Sequence, residues 1–82
     1  MSIRFSDHAL LQLKERRIAR SVVLGILEHP DRIEPQAKNR FRALKHATFQ
    51  GKLYLYVVIY DETLDERVVV TAFRTSKVDK YL

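Results

Sequence analysis

Apolar positions recur along the chain in two rhythms, one helical through residue 28 and one alternating beyond residue 40. Ala9, Leu10 and Leu13 make a stripe with helical spacing, which predicts a helix to about residue 16. Ser6 reads as its N-cap, because a hydroxyl there accepts a bond from an orphan amide of the first turn. Phe5 and Leu10 then occupy the two positions of a hydrophobic staple. His8, Gln12 and Arg16 follow at four-residue steps and share a different face, turned from the apolar stripe. Arg17 stands where glycine would end a helix comfortably; a left-handed arginine there stores roughly 1–2 kcal/mol of strain. A second helix is predicted over about 20–28, with Val22, Val23, Ile26 and Leu27 inward. Its β-branched residues and Gly25 make it weak alone, so packing must hold it. His29 precedes Pro30, a step that disfavours helical geometry and ends the element.

The second half reads as strands. Residues 32–34 form a short one closed by Pro35, and 40–49 a longer one leading into a Gln50-Gly51 turn. The segment 52–60 carries Leu53, Leu55, Val57 and Ile59 on one face and Tyr54, Tyr56, Val58 and Tyr60 on the other. A strand apolar on both faces belongs in the middle of a sheet. Residues 67–75 are its expected antiparallel neighbour across the acidic loop 61–66, and 76–82 carries no readable period. The expected fold is α+β: one domain over 1–82, with two N-terminal helices packed on one face of a four-stranded, mainly antiparallel sheet.

Composition narrows the class. With 82 residues and no cysteine, neither a disulfide nor a thiolate metal site can staple the fold, and the core must suffice. The longest apolar run, 53–60, is strand length and far short of a membrane span. The start of the chain has no apolar core of a secretory signal, so a cytoplasmic protein is the expectation. The formal charge is +5 and unevenly placed. Lys38, Arg40, Arg42, Lys45 and Lys52, with His46, fall in a stretch that holds no acid. Such a stripe is the footprint of a phosphate-bearing or acidic partner, and equally of a solvated face.

Four segments carry a resemblance: Ser6-Asp7-His8-Ala9, Glu15-Arg16-Arg17-Ile18, His29-Pro30-Asp31-Arg32 and Val70-Thr71-Ala72-Phe73-Arg74-Thr75. In this order, and over nearly the whole chain, they resemble domain-of-unknown-function family 4258, a family of small prokaryotic domains. Gln12 stands where that family usually has an arginine, and Arg17 where it usually has a glycine. Gln12 still offers hydrogen bonds but no charge. The family is similar in element order to the RelE-like toxin and barnase-like ribonuclease superfamily. That likeness implies two helices ahead of a four-stranded antiparallel sheet, and a small antitoxin partner. It does not select an activity, because the superfamily holds mRNA cleavers, gyrase poisons and inactive relatives.

Metal-free RNA cleavage needs a base for the ribose 2′-OH, cations for the phosphorane-like transition state and an acid for the leaving 5′-oxygen. His8 can serve as base or acid, since an imidazole titrates near neutral pH. Arg16 and Arg74 can clamp a phosphate, and Thr71 and Thr75 can supply hydroxyl hydrogen bonds. Lys38, Arg40, Arg42, Lys45, His46 and Lys77 are candidates for contacting the nucleic-acid backbone. Tyr54, Tyr56 or Tyr60 can stack on bases. Each has a plainer role: a solvated histidine, an arginine at its own helix end, a threonine favoured in strands, tyrosines that pack a sheet. His8, His29 and His46 lie far apart without a carboxylate pair, so no metal or other cofactor is expected. The expectation is a toxin-type, metal-independent ribonuclease acting on mRNA, free or on the ribosome, held by a small acidic antitoxin. The alternatives are a non-catalytic RNA- or protein-binding module of the same fold, and a gyrase-directed toxin.

Overall fold

The computed structural model describes residues 2–81. Its elements run β1 (Ser2–Phe5), α1 (Asp7–Arg16), α2 (Arg20–Glu28), β2 (Arg32–Ala37), β3 (Arg40–Phe49), β4 (Lys52–Glu62), β5 (Glu66–Thr75) and a 3₁₀ turn (Val78–Lys80). The two end residues of the domain expected over 1–82 lie outside the described residues.

The strands form one five-stranded sheet in the order β1-β5-β4-β3-β2. β1 runs parallel to β5, pairing Ser2 with Glu66 through Phe5 with Val69, and the other three pairings are antiparallel. This corrects the expectation of a four-stranded, mainly antiparallel sheet: the sheet is five-stranded and mixed, and the class remains α+β. The reason β1 is silent in the sequence is physical. Ser2 to Phe5 alternates polar and apolar, but four residues are too few for that alternation to stand out, and a parallel partner at the other end of the chain leaves no hairpin turn to mark it. Phe5, expected to staple the helix, ends β1 and packs against the core.

β2 also runs past Pro35 to Ala37, where a strand end was expected. Proline is tolerated because β2 is an edge strand, and the register to β3 shifts between Pro35 and Ala37. Gln50 and Gly51, at φ 52° and 78°, supply the two positive values that a tight β3–β4 hairpin demands.

α1 starts as its sequence predicts, with the Ser6 hydroxyl accepting from the Ala9 amide at 3.0 Å. It ends on Arg17 at φ 56°, ψ 44°, in the left-handed region. The Ile18 amide donates to the Leu13 carbonyl at 2.9 Å and the Arg17 amide to the Lys14 carbonyl at 3.3 Å. Ile18 and Leu13 are both buried in one cluster, which completes a Schellman end. α2 has no side-chain N-cap and is held by burying Val23, Ile26 and Leu27. Val22, expected inward, is 40% exposed. It is turned about 100° from Val23 around the helix and falls off the three-residue stripe. Leu10, on α1, is likewise only half-buried.

Two layers enclose the sheet. On one face Ala9, Leu13, Ile18, Val23, Ile26 and Leu27 from the helices meet Ala43, Tyr56, Val58, Tyr60, Val69 and Ala72 from the strands. On the other, Leu44, Leu55 and Val57 are covered by Ile59, Phe73, Val78 and Tyr81, so the chain's tail forms the second lid. Among the described residues no helix is long and apolar enough to cross a membrane.

Replacing Arg17 by glycine removes the left-handed strain while adding chain entropy to the unfolded state. The net gain expected is about 1 kcal/mol. Urea denaturation of Arg17→Gly should move the midpoint upward with an unchanged slope; a lower midpoint would mean the arginine side chain contributes more than its backbone costs.

Candidate nucleic-acid interface

β1 covers the outer edge of β5 only as far as Val69. Beyond it, α1 takes over, entered through a Ser6 amide bond to the Val69 carbonyl at 3.0 Å. The register of β5 against β4 shifts between Ile59 and Tyr60, which pair with Thr71 and Val69, leaving Val70 as an extra residue. Such a bulge re-aims side chains. At this edge Arg16 Nη1 donates to the Ala72 carbonyl at 2.8 Å, the Thr71 hydroxyl at 3.2 Å and Gln12 Oε1 at 3.4 Å. The Thr71 hydroxyl donates in turn to Gln12 Oε1. Arg16 and Thr71 therefore meet, with Gln12 as the acceptor that joins them. The cluster satisfies a free strand edge, yet its acceptors are all neutral, so the arginine's charge stays uncompensated. His8 is exposed one turn before Gln12 on the same helix face and makes no hydrogen bond or ion pair among the described residues.

The basic stretch of β3 divides between faces, as a two-residue period requires. Arg40, Arg42 and His46 alternate with Leu44 on the side of the tail; Lys45 alternates with Ala43 and Ala47 on the helix side. Most of these groups have partners. Arg40 holds Asp61 in a two-pronged pair at 2.7 and 3.0 Å, which lowers the Asp61 carboxyl and raises the guanidinium. Arg42 donates to Glu34 and lies 5.5 Å over the Tyr81 ring. The His46 amide donates to Asp31 Oδ2 at 2.8 Å with its ring Nδ1 at 3.2 Å; the amide bond first, then the ring, holds the Asp31 carboxyl below its ordinary value. Lys45 Nζ donates to the His29 carbonyl at 2.6 Å and so closes the C-terminal end of α2. Lys38 is exposed in the β2–β3 turn, and the Lys77 amide donates to the Thr75 hydroxyl at 3.1 Å.

A different set gathers where the β3–β4 hairpin meets the end of β5, on the helix side. The Arg74 guanidinium lies 4.7 Å from the Phe49 ring centre and 5.8 Å from that of Tyr54. Lys52 Nζ lies 5.7 Å from the Tyr54 ring, and the two rings meet edge to face at 6.3 Å. Neither Arg74 nor Lys52 has a carboxylate partner among the described residues, whereas Arg4, Arg32, Arg40, Arg42 and Arg67 all do. Phe49 is 40% exposed, far above what a core phenylalanine shows. The result is an aromatic platform bearing two uncompensated cations. Arg74 and Tyr54 are legible in the sequence as candidates. Phe49 and Lys52 are not, although their position on either side of a two-residue turn places them opposite each other and on the face of Tyr54. No interaction joins His8 to Arg74. Among the described residues no group of three or more His, Asp or Glu side chains is placed to hold a metal ion.

The family model described as Domain of unknown function (DUF4258) matches residues 5–74. No curated protein and no solved structure matches the chain.

The Asp31–His46 contact has a readable pH signature. Its carboxyl is held below the unfolded value, so the stability it adds is complete above about pH 4 and is lost as pH falls through the depressed folded value. Asp31→Asn should lower the Tm at neutral pH and show a shallower loss of Tm on acidification than the parent. Parallel melting curves between pH 7 and pH 2 check this, and superimposable acid limbs would remove the contact from the account.

Proposed function

We propose that this chain, which belongs to the family Domain of unknown function (DUF4258), binds single-stranded RNA across the hairpin end of its helix-bearing face. The observation that carries this reading is the Arg74 guanidinium resting on Phe49 and Tyr54, with Lys52 beside it and no carboxylate opposing either cation among the described residues. The exposed Phe49 ring and the partly exposed Tyr54 offer aromatic surface to unstacked bases whatever their identity, and uncompensated cations accept the phosphates between them. A duplex hides its base faces, so the platform favours unpaired RNA. On the rest of the sheet Arg4, Arg32, Arg40, Arg42 and Arg67 are each paired with Asp or Glu, so Arg74 and Lys52 differ from them in carrying their charge over aromatic rings.

A second reading is supported by His8 and Arg16. His8 is exposed and unpartnered among the described residues, on the α1 face that carries an arginine with only neutral acceptors. This is the toxin-type ribonuclease of a RelE-like relative, with mRNA as substrate and a small acidic antitoxin as partner. His8 takes the proton of a ribose 2′-OH, the 2′-oxygen attacks the adjacent phosphorus, and the bond to the 5′-oxygen breaks as that oxygen gains a proton. Arg16 offsets the charge on the phosphoryl oxygens.

Fluorescence anisotropy with a labelled ten-nucleotide single-stranded RNA separates the parts. Arg74→Ala should weaken binding about tenfold and reduce the salt slope by about one; Phe49→Ala should weaken it similarly with the slope kept. His8→Ala should bind as the parent does. Parental affinity in both Arg74→Ala and Phe49→Ala would overturn the platform. Cleavage of the RNA by the parent, lost in a folded His8→Ala, would establish the second reading.

A further inference from the structure

A cavity of about 350 Å³ opens between α2 and the sheet, walled by Val22, Gly25, His29, Lys45, Ala47 and Tyr56. It borders the aromatic platform directly, because Ala47 pairs with Tyr54 and Lys45 with Tyr56 across β3 and β4. Tyr54 and Tyr56 share a sheet face about 7 Å apart along the strand, a single step for an extended chain lying over them.

The chemistry of the walls is specific. Val22, Ala47 and the side-chain-free backbone of Gly25 present apolar surface, and a Cβ added to Gly25 would meet nothing within 4 Å. Tyr56 is 8% exposed, and its hydroxyl has no hydrogen-bond partner among the described residues although it is not sealed from solvent. A phenol that reaches solvent there can donate to or accept from a ligand that enters the cavity. Lys45 donates one N–H to the His29 carbonyl at 2.6 Å, and an ammonium has two more to offer at the cavity mouth. Apolar walls with a few polar groups at one end suit a planar heteroaromatic ring with hydrogen-bonding edges.

We infer that this cavity receives one unstacked nucleobase of the RNA strand whose neighbouring base lies on Tyr54 and Phe49. The inference rests on the RNA-binding reading. The base sits between the apolar walls, its edge meets the Tyr56 hydroxyl, and Lys45 and Arg74 hold the phosphates on either side.

The test uses the full chain, the ten-nucleotide RNA and an abasic oligomer of the same length. A Cβ at Gly25 meets nothing within 4 Å, so Gly25→Leu is expected to extend into the cavity and, by replacing a helical glycine, to hold or raise the Tm. It should weaken RNA binding about tenfold and leave binding of the abasic oligomer unchanged. Tyr56→Phe should lose a few-fold on RNA and nothing on the abasic oligomer. If Gly25→Leu binds RNA like the parent while Arg74→Ala is weakened, the base pocket is wrong and the platform stands. If the parent binds no RNA, or binding ignores Arg74→Ala, the RNA reading falls and the pocket falls with it.

Discussion

β4 is apolar on both faces, and the rest of the molecule follows from having to cover both. Leu55, Val57 and Val58 are fully buried at its middle, with Tyr56 and Tyr60 nearly so. One face is covered by α1 and α2, the other by the 3₁₀ turn and Tyr81. A strand buried this way must also have hydrogen-bonded neighbours on both sides, which β3 and β5 provide. That leaves two outer edges, and the protein treats them differently. β2, with Pro35, ends one side. On the other, β1 covers β5 to Val69, and beyond it Arg16 bonds the exposed Ala72 carbonyl.

The same geometry explains where charge is free. Long strands carry arginines to the surface beside carboxylates on neighbouring strands, as Arg40 with Asp61 and Arg42 with Glu34. At the hairpin end no carboxylate of the described residues lies opposite, and Arg74 and Lys52 settle over aromatic rings instead. Cation–π contact leaves the charge in place for a partner to use. α2 stops short of closing the neighbouring cavity because its inward stripe is narrow and Gly25 contributes no side chain.

Much of this fold is legible in the sequence. The Ser6 cap, the left-handed Arg17, the ending at His29-Pro30 and the two-faced β4 all rest on local chemistry, which is what a sequence displays. β1 is not legible, since its partner lies at the far end of the chain and four alternating residues are too few to announce a strand. Nor is the tail, whose Val78 and Tyr81 gain meaning only from the exposed face they cover. For the candidate site, Arg74 and Tyr54 can be named from strand alternation, but the basic stripe dissolves in three dimensions. Alternation sends Arg40, Arg42 and His46 to one face and Lys45 to the other, and nearby acids occupy Arg40, Arg42 and His46. The Gln12–Arg16–Thr71 cluster depends on a bulge at Val70, which no residue type announces.

The most direct measurement is a titration of isotope-labelled protein with the single-stranded RNA, following backbone and side-chain NMR signals. The largest shifts are expected at Phe49, Lys52, Tyr54 and Arg74, with Tyr56 and Gly25 next. Shifts confined to the α1 face around His8, or to the Arg40 and Arg42 side of the sheet, would contradict it.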